Sequence, residues 1–318
     1  MNRNRQIEIA KFIGIILVVV GHSFGAGVFA AKLYHMPLFF FISGLTLNTG
    51  DKFSVFIEKR IKRLYIPFII YEVVYLFVSP WFYQIGIGTD RYDNINEVIS
   101  ALLHIVLFDN YNILLSPIWF VTALFFSSIC AYWLYKIVSL VKYTLLHAGG
   151  AVLLVYIGLW LGKADALLLP HSYNFPKSVS VVIMACGYIL LGIIVNDSSE
   201  LTILIGKNKL QHVIYMVVFI LLIIFERITL LHADMRSNSY DYMLLQPIFA
   251  IIGISAVFIM SNIFTNLMDK FDLVYVRKVA MYVSSHTFSI MCLHPVSFKV
   301  VGIVQVYALG FNKEKLAG

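Results

Sequence analysis

Charge is scarce in this chain. Asp, Glu, Lys and Arg supply 13% of its 318 residues, about half the share of a soluble domain. That excludes disorder, a charged coiled-coil rod and an ordinary soluble enzyme. Cysteine is nearly absent as well: Cys130, Cys186 and Cys292 are the only three. All lie inside apolar runs and the number is odd, so neither a disulfide framework nor a cysteine-based metal site is expected. There is no glycine-rich phosphate loop, serine nucleophile elbow or metalloprotease helix. No fixed-period repeat or long linker divides the sequence, which predicts one integral-membrane domain over 1–318.

What the chain does have is apolar surface. Hydrophobic residues make up 60% of it, mean hydropathy is +0.85, and there are 25 Phe, 19 Tyr and 4 Trp. This composition predicts an all-α fold, a polytopic transmembrane helix bundle of about nine or ten spans. The apolar runs fall near 7–27, 34–50, 64–83, 117–139, 144–162, 178–196, 211–231, 243–264 and 282–310. The last reads as one long helix or two short ones. The run 98–108 is too short to cross and reads as interfacial. The first run passes into the second without a small-residue cleavage site, so a removed signal peptide is not expected.

The net charge is +7. Its basic residues sit in short loops and form no continuous stripe, so nucleic acid is not an expected partner; membrane lipids are. Basic loops stay on the cytoplasmic side of a membrane. With the N-terminus inside and 98–108 not crossing, the clusters Lys52 to Arg63 and Lys270 to Lys278 fall inside. Lys32, Arg91, Lys163, Lys177, Arg227 and Arg236 fall outside. The expected location is a cell (inner) membrane, multi-pass, with a cytoplasmic N-terminus.

Within this apolar background a few polar residues stand out. Lys11 and His22 are eleven residues apart in the first span, close to three helical turns, so they share one face about 16 Å apart along the axis. An ionisable group at that depth needs a cavity or a partner. A buried histidine bonded to a neighbouring helix is the plainer alternative. His35 opens the second span, just before Pro37 in the first helical turn, and the short loop 28–33 returns it toward His22. The two imidazoles could share a pocket; no Asp, Glu or third His has ligand spacing beside them, so no metal is expected. Arg60 and Arg63, spaced i and i+3, project together and suit a phosphate-bearing ligand, since arginine grips phosphate in a two-pronged fork. Orientation signals and lipid contacts also explain such clusters. Trp119 fits an interfacial aromatic belt. Glu226 and Arg227 end the seventh run beside His232, Asp234, Arg236 and Asp241, a polar cluster that suits a sugar or plain solvation. His294 precedes Pro295 and could mark a helix break lining a cavity.

Three classes accommodate these residues. A transporter or flippase of a lipid-linked glycan shares the composition and the intramembrane charges, but would carry two matching halves with paired broken helices, and no such pairing is seen. A non-catalytic scaffold explains neither the Lys11–His22 pair nor the arginine pair. The third class is an enzyme.

Taken in order, the segments resemble the integral-membrane acyltransferase family 3, whose members O-acylate surface polysaccharides and lipid-linked sugars. Lys11 and His22 match its pattern of a basic residue, ten residues and a histidine. YHMPLFFFISG at 34–44 matches its second-helix signature, and RIKR at 60–63 its Arg-x-x-Arg pair. IWFVTALFF, GYILLG and SSHTFSIMCLHP resemble its later motifs, and the wording is closest to the fucose 4-O-acetylase-like branch. The first basic position, usually Arg, is Lys here, which keeps the charge and loses the fork. The resemblance implies acetyl-CoA or another acyl-CoA as co-substrate, its phosphates near Arg60, Arg63 and Lys11. It implies a sugar or glycan acceptor, possibly lipid-linked. His22 would be the general base, with an acyl-histidine intermediate as a variant; His35 would orient His22 or stabilise the oxyanion. Trp119, Glu226, Arg227 and His294 are the expected substrate contacts.

Overall fold

The structure, a computed structural model, describes residues 3–23, 30–84, 92, 94–109, 112–139, 144–168, 175–197 and 208–310. Nearly all of them are helical, as the composition requires. In chain order the helices are α1 (Arg3–Ser23), α2 (His35–Leu45), α3 (Phe53–Arg60), α4 (Ile66–Gln84), α5 (Ile95–Val106) and α6 (Trp119–Val138). Then follow α7 (Thr144–Leu168), α8 (Phe175–Asp197), α9 (Lys209–Thr229), α10 (Gln246–Lys270), α11 (Val274–Ser285) and α12 (Thr287–Leu309). A two-residue antiparallel pair, β1 (Ala233–Asp234) with β2 (Ser239–Tyr240), closes the turn after α9.

Among the described residues, eight helical stretches are long and apolar enough to cross a membrane. They present apolar side chains outward. Along α9, Val213, Val217, Ile220, Ile224 and Ile228 are all exposed. A wall of this kind is stable only against lipid, and the protein is a multi-pass membrane protein.

Three spans differ from the sequence expectation. The run 34–50 gives only an eleven-residue helix, α2, because Asn48 builds a turn behind it: its Oδ1 accepts from Gly50 N at 3.1 Å and its Nδ2 donates to Asp51 Oδ1 at 2.9 Å. The run 64–83 begins earlier, since α3 continues through a π turn (Ile61–Tyr65) into α4. The run 282–310 divides at His286, not at the proline: α12 runs unbroken through Pro295. The Ser285 hydroxyl donates to the carbonyl of Tyr282 at 2.8 Å, which competes with the helical ladder just ahead of the break. The run 98–108 falls largely in α5, a short helix whose Ile95, Ile99, Leu103 and Val106 form an exposed stripe above buried Ala101 and Ile105.

The chain divides into two compact units. The first comprises Met1–Asp51 and Phe126–Thr287, the second Lys52–Phe125 and Phe288–Gly318. In the first, α1 packs on α10 and α11, and α2 packs on α8. A Cβ on Gly44 would strike the carbonyl of Ile189, and one on Gly192 the carbonyl of Phe41. Only glycine lets the two backbones approach this closely. The core around them holds Tyr34, Leu38, Phe41, Phe258 and Ile254, each at most 2% exposed. Tyr34 meets Phe219 edge-on at 5.6 Å and Phe41 meets Phe258 at 5.8 Å.

In the second unit, Phe108 sits in the left-handed region with φ 63°. Its ring lies edge-on to Phe68, Tyr65 and Phe125 at 4.5, 5.0 and 5.2 Å. Tyr65, the last residue of the π turn, donates its hydroxyl to Val106 O at 2.8 Å. The π turn is thereby fixed to the end of α5.

Candidate active site

Helix α1 is continuous from Arg3 to Ser23, so Lys11 and His22 do lie three turns apart on one face. Their surroundings differ. Lys11 Nζ lies 2.5 Å from Glu8 Oε1, and Glu8 Oε2 accepts from Ser284 Oγ at 2.7 Å. The lysine end of α1 is thus braced against α11. His22, in the last turn, is exposed and therefore reachable by a ligand.

The chain re-enters the described structure at Ala30, in the left-handed region at φ 51°, and makes one 3₁₀ turn, Ala31–Leu33. That turn is fixed: Gln246 Nε2 donates to Leu33 O at 2.9 Å, and Ala30, Ala31, Leu33 and Tyr34 are at most 3% exposed. It packs on α1, α2, α10 and β1. His35 then opens α2. Its Nδ1 lies 2.5 Å from Ala31 O. A carbonyl only accepts, so Nδ1 carries the proton and the neutral ring offers Nε2 as a lone pair. In this tautomer His35 accepts a hydrogen bond; donating to an oxyanion would require a second proton.

His22, Lys32 and Asp234 all act electrostatically on His35. Lys32 acts also on His22 and, together with Arg227, on Glu226. Glu226 is 7% exposed, and its Oε2 has no hydrogen-bond partner among the described residues. Asp234 is held in place, accepting from Arg236 N at 2.9 Å and Ser237 Oγ at 2.7 Å. Tyr240, on β2, is pushed well above the usual phenol range by burial, with Tyr188 and Asp234 adding to it. It stays protonated and remains a donor. The first unit therefore gathers two imidazoles, a lysine and two carboxylates at one end of α1, α2 and α9.

The second unit holds the other candidates. Arg60 and Arg63 flank the start of the π turn, where the i and i+3 relation of a regular α-helix no longer applies. They still act on each other electrostatically. The Arg60 guanidinium rests 5.3 Å over the Phe56 ring. Neither has a carboxylate partner among the described residues, whereas neighbouring Lys62 pairs with Glu58 at 2.5 Å. Two adjacent cations left uncompensated suit an anion. Trp119 opens α6, half-buried and edge-on to Phe120 at 6.3 Å. His294 is buried inside continuous α12, with its Nδ1 3.1 Å from Ile290 O and its ring edge-on to Phe298 at 5.7 Å. The helix break expected beside it is absent. Among the described residues no group of three or more His, Cys, Asp or Glu is arranged to hold a metal.

A family model described as an acyltransferase domain matches residues 4–309, nearly the whole chain and both compact units. The chain belongs to acyltransferase family 3. No curated protein and no solved structure matches it. Membership makes the protein a membrane acyltransferase in the general sense.

Sequence reading missed two residues in this acyltransferase. Lys32 entered only as an outer-side charge. The signal that points to it is its position three residues before His35, in the short turn that returns the chain toward His22. The second is Glu72, 0% exposed within the Phe53–Gln84 span. Its Oε2 and backbone oxygen accept from Asn112 Nδ2 at 2.8 and 3.3 Å. A charged residue in the middle of an apolar run is itself the signal.

Proposed function

We propose that the protein transfers an acyl group, acetyl or succinyl, from acyl-CoA to a hydroxyl of a surface-glycan or exopolysaccharide sugar. Its motifs resemble the branch that includes fucose 4-O-acetylase-like proteins and the exopolysaccharide acetyl- or succinyltransferases. The single observation that carries this reading is His22: an accessible imidazole at the end of a membrane helix, within electrostatic reach of His35 and Lys32, in a chain that family membership makes an acyltransferase.

In this reading His22 takes the proton of the sugar hydroxyl as its oxygen attacks the thioester carbonyl carbon. The C–O bond forms and the carbonyl electrons move onto oxygen. Collapse breaks the C–S bond, and the protonated imidazole returns its proton to the departing thiolate. His35, with Nε2 free to accept, orients His22 or the incoming hydroxyl. Glu226 and Arg227 contact the acceptor, with its sugar hydroxyls donating to the carboxylate. Arg60 and Arg63 take the phosphates of acyl-CoA; uncompensated guanidinium groups support that role. Trp119 and His294 line the substrate path. The protein sits in the cell's inner membrane with its N-terminus in the cytoplasm, where acyl-CoA is made. The whole chain, 1–318, is one acyltransferase domain.

The test is His22→Ala in the full-length protein, assayed in membranes with radiolabelled acetyl-CoA. A positioned base contributes about 10²–10⁴-fold. We expect a loss of that size with normal insertion and an unchanged elution profile in detergent. Full activity in the variant would remove His22 from the mechanism.

A further inference from the structure

The tautomer of His35 leaves one requirement of acyl transfer unmet. Attack on a thioester puts negative charge on the carbonyl oxygen, and that charge needs a donor aimed at it. His22 is occupied with the hydroxyl proton. Neutral His35 presents a lone pair, because its one N–H is spent on Ala31 O.

The 3₁₀ turn supplies the missing group. Within Ala30–Tyr34 every residue except Lys32 is buried, and the turn is pinned by Gln246 and packed on α1, α2, α10 and β1. Lys32 is half-buried and projects from this rigid turn, and it makes no contact ion pair among the described residues. Its ammonium is a cation acting on both histidines and on buried Glu226. It has three protons to donate and no committed acceptor.

We propose that Lys32 is a catalytic residue of the acyl transfer: its ammonium hydrogen-bonds the carbonyl oxygen of the thioester as that oxygen becomes an oxyanion. This deepens the transferase reading and rests on it. When the hydroxyl oxygen bonds to the carbonyl carbon, the π electrons settle on the oxygen facing Lys32. They return when the C–S bond breaks, so Lys32 ends the cycle still protonated. Glu226, in the field of the same ammonium, offsets its charge while the site is empty.

The test uses the full-length protein in detergent, with acetyl-CoA and a panel of methyl glycosides, following thiol release. Lys32→Met is expected to lower kcat by about 10²–10³-fold, the usual cost of one oxyanion donor, with the KM for acetyl-CoA little changed. Lys32→Arg keeps a charged donor and should recover most of the rate. Lys32→Gln, polar and close in length, serves as the second variant if Lys32→Met does not fold, and should fall between the two. A residue that only neutralised Glu226 would behave differently: the double variant Lys32→Met with Glu226→Gln would regain activity. Such rescue, or near-native kcat in a folded Lys32→Met or Lys32→Gln, overturns the proposal and leaves the transferase reading standing. Wild-type protein that releases no thiol from acetyl-CoA with any glycoside overturns both.

Discussion

The two compact units pair the charges of their candidate residues in different ways. The first mixes signs: Lys32 and Arg227 act on Glu226, and Asp234 and Lys32 act on His35. The second places like charges together, with Arg60 and Arg63 side by side and no carboxylate against them among the described residues. A mixed cluster has little net field and many hydrogen-bonding atoms, which suits a neutral polyhydroxy compound. A like-charged pair has a strong field and suits an anion. In the function proposed above, that difference would let one chain sort a sugar from a nucleotide-bearing donor by how its charges are paired, before any shape is considered.

The contrast can be broken most severely through Arg60 and Arg63. Replacing both with Ala removes charge-assisted hydrogen bonds worth about 1.5–3 kcal/mol each. Apparent acyl-CoA affinity should fall by tenfold or more and acceptor affinity should stay level. Equal affinity for acyl-CoA in variant and wild type would return the pair to being a topology signal. Glu226→Gln, next in size, should raise the acceptor KM without moving that of acyl-CoA, because the carboxylate becomes a weaker acceptor. A shift in the acyl-CoA KM instead would erase the distinction between the two units. The smallest expected change comes from the braced end of α1. Arg5 bonds Asp269 at 2.9 Å through both carboxylate oxygens, with the pair 31% and 47% exposed. Exposed pairs contribute about 0–1 kcal/mol, so Arg5→Ala should lower melting temperature slightly and leave kcat alone.

Much of this arrangement was legible in the sequence. The all-α bundle followed from hydropathy, because a lipid-facing helix needs a long apolar run. His22 and Lys11 followed from the helical period, and the family from motifs in order. What escaped was decided by short-range competition for backbone hydrogen bonds, to which hydropathy is blind. Asn48 ends α2 early, and Ser285 competes for a carbonyl just before His286. The π turn has no residue signature at all; it is visible only as a ladder that shifts by one. Lys32 was overlooked because a lysine in a turn is ordinarily a solvated one. Its meaning came from buried neighbours on both sides of it, which the linear sequence does not display.

The π turn at Ile61–Tyr65 has one more effect. It is a helix that has absorbed a surplus residue within one wide turn, so α3 and α4 keep nearly the register of an uninterrupted helix. Excising one of the five would restore ordinary pitch and leave α3 and α4 in line. It would change only how far Arg63 and Tyr65 stand around the axis from Arg60. In this stretch residue count is as much a determinant of where side chains point as residue identity.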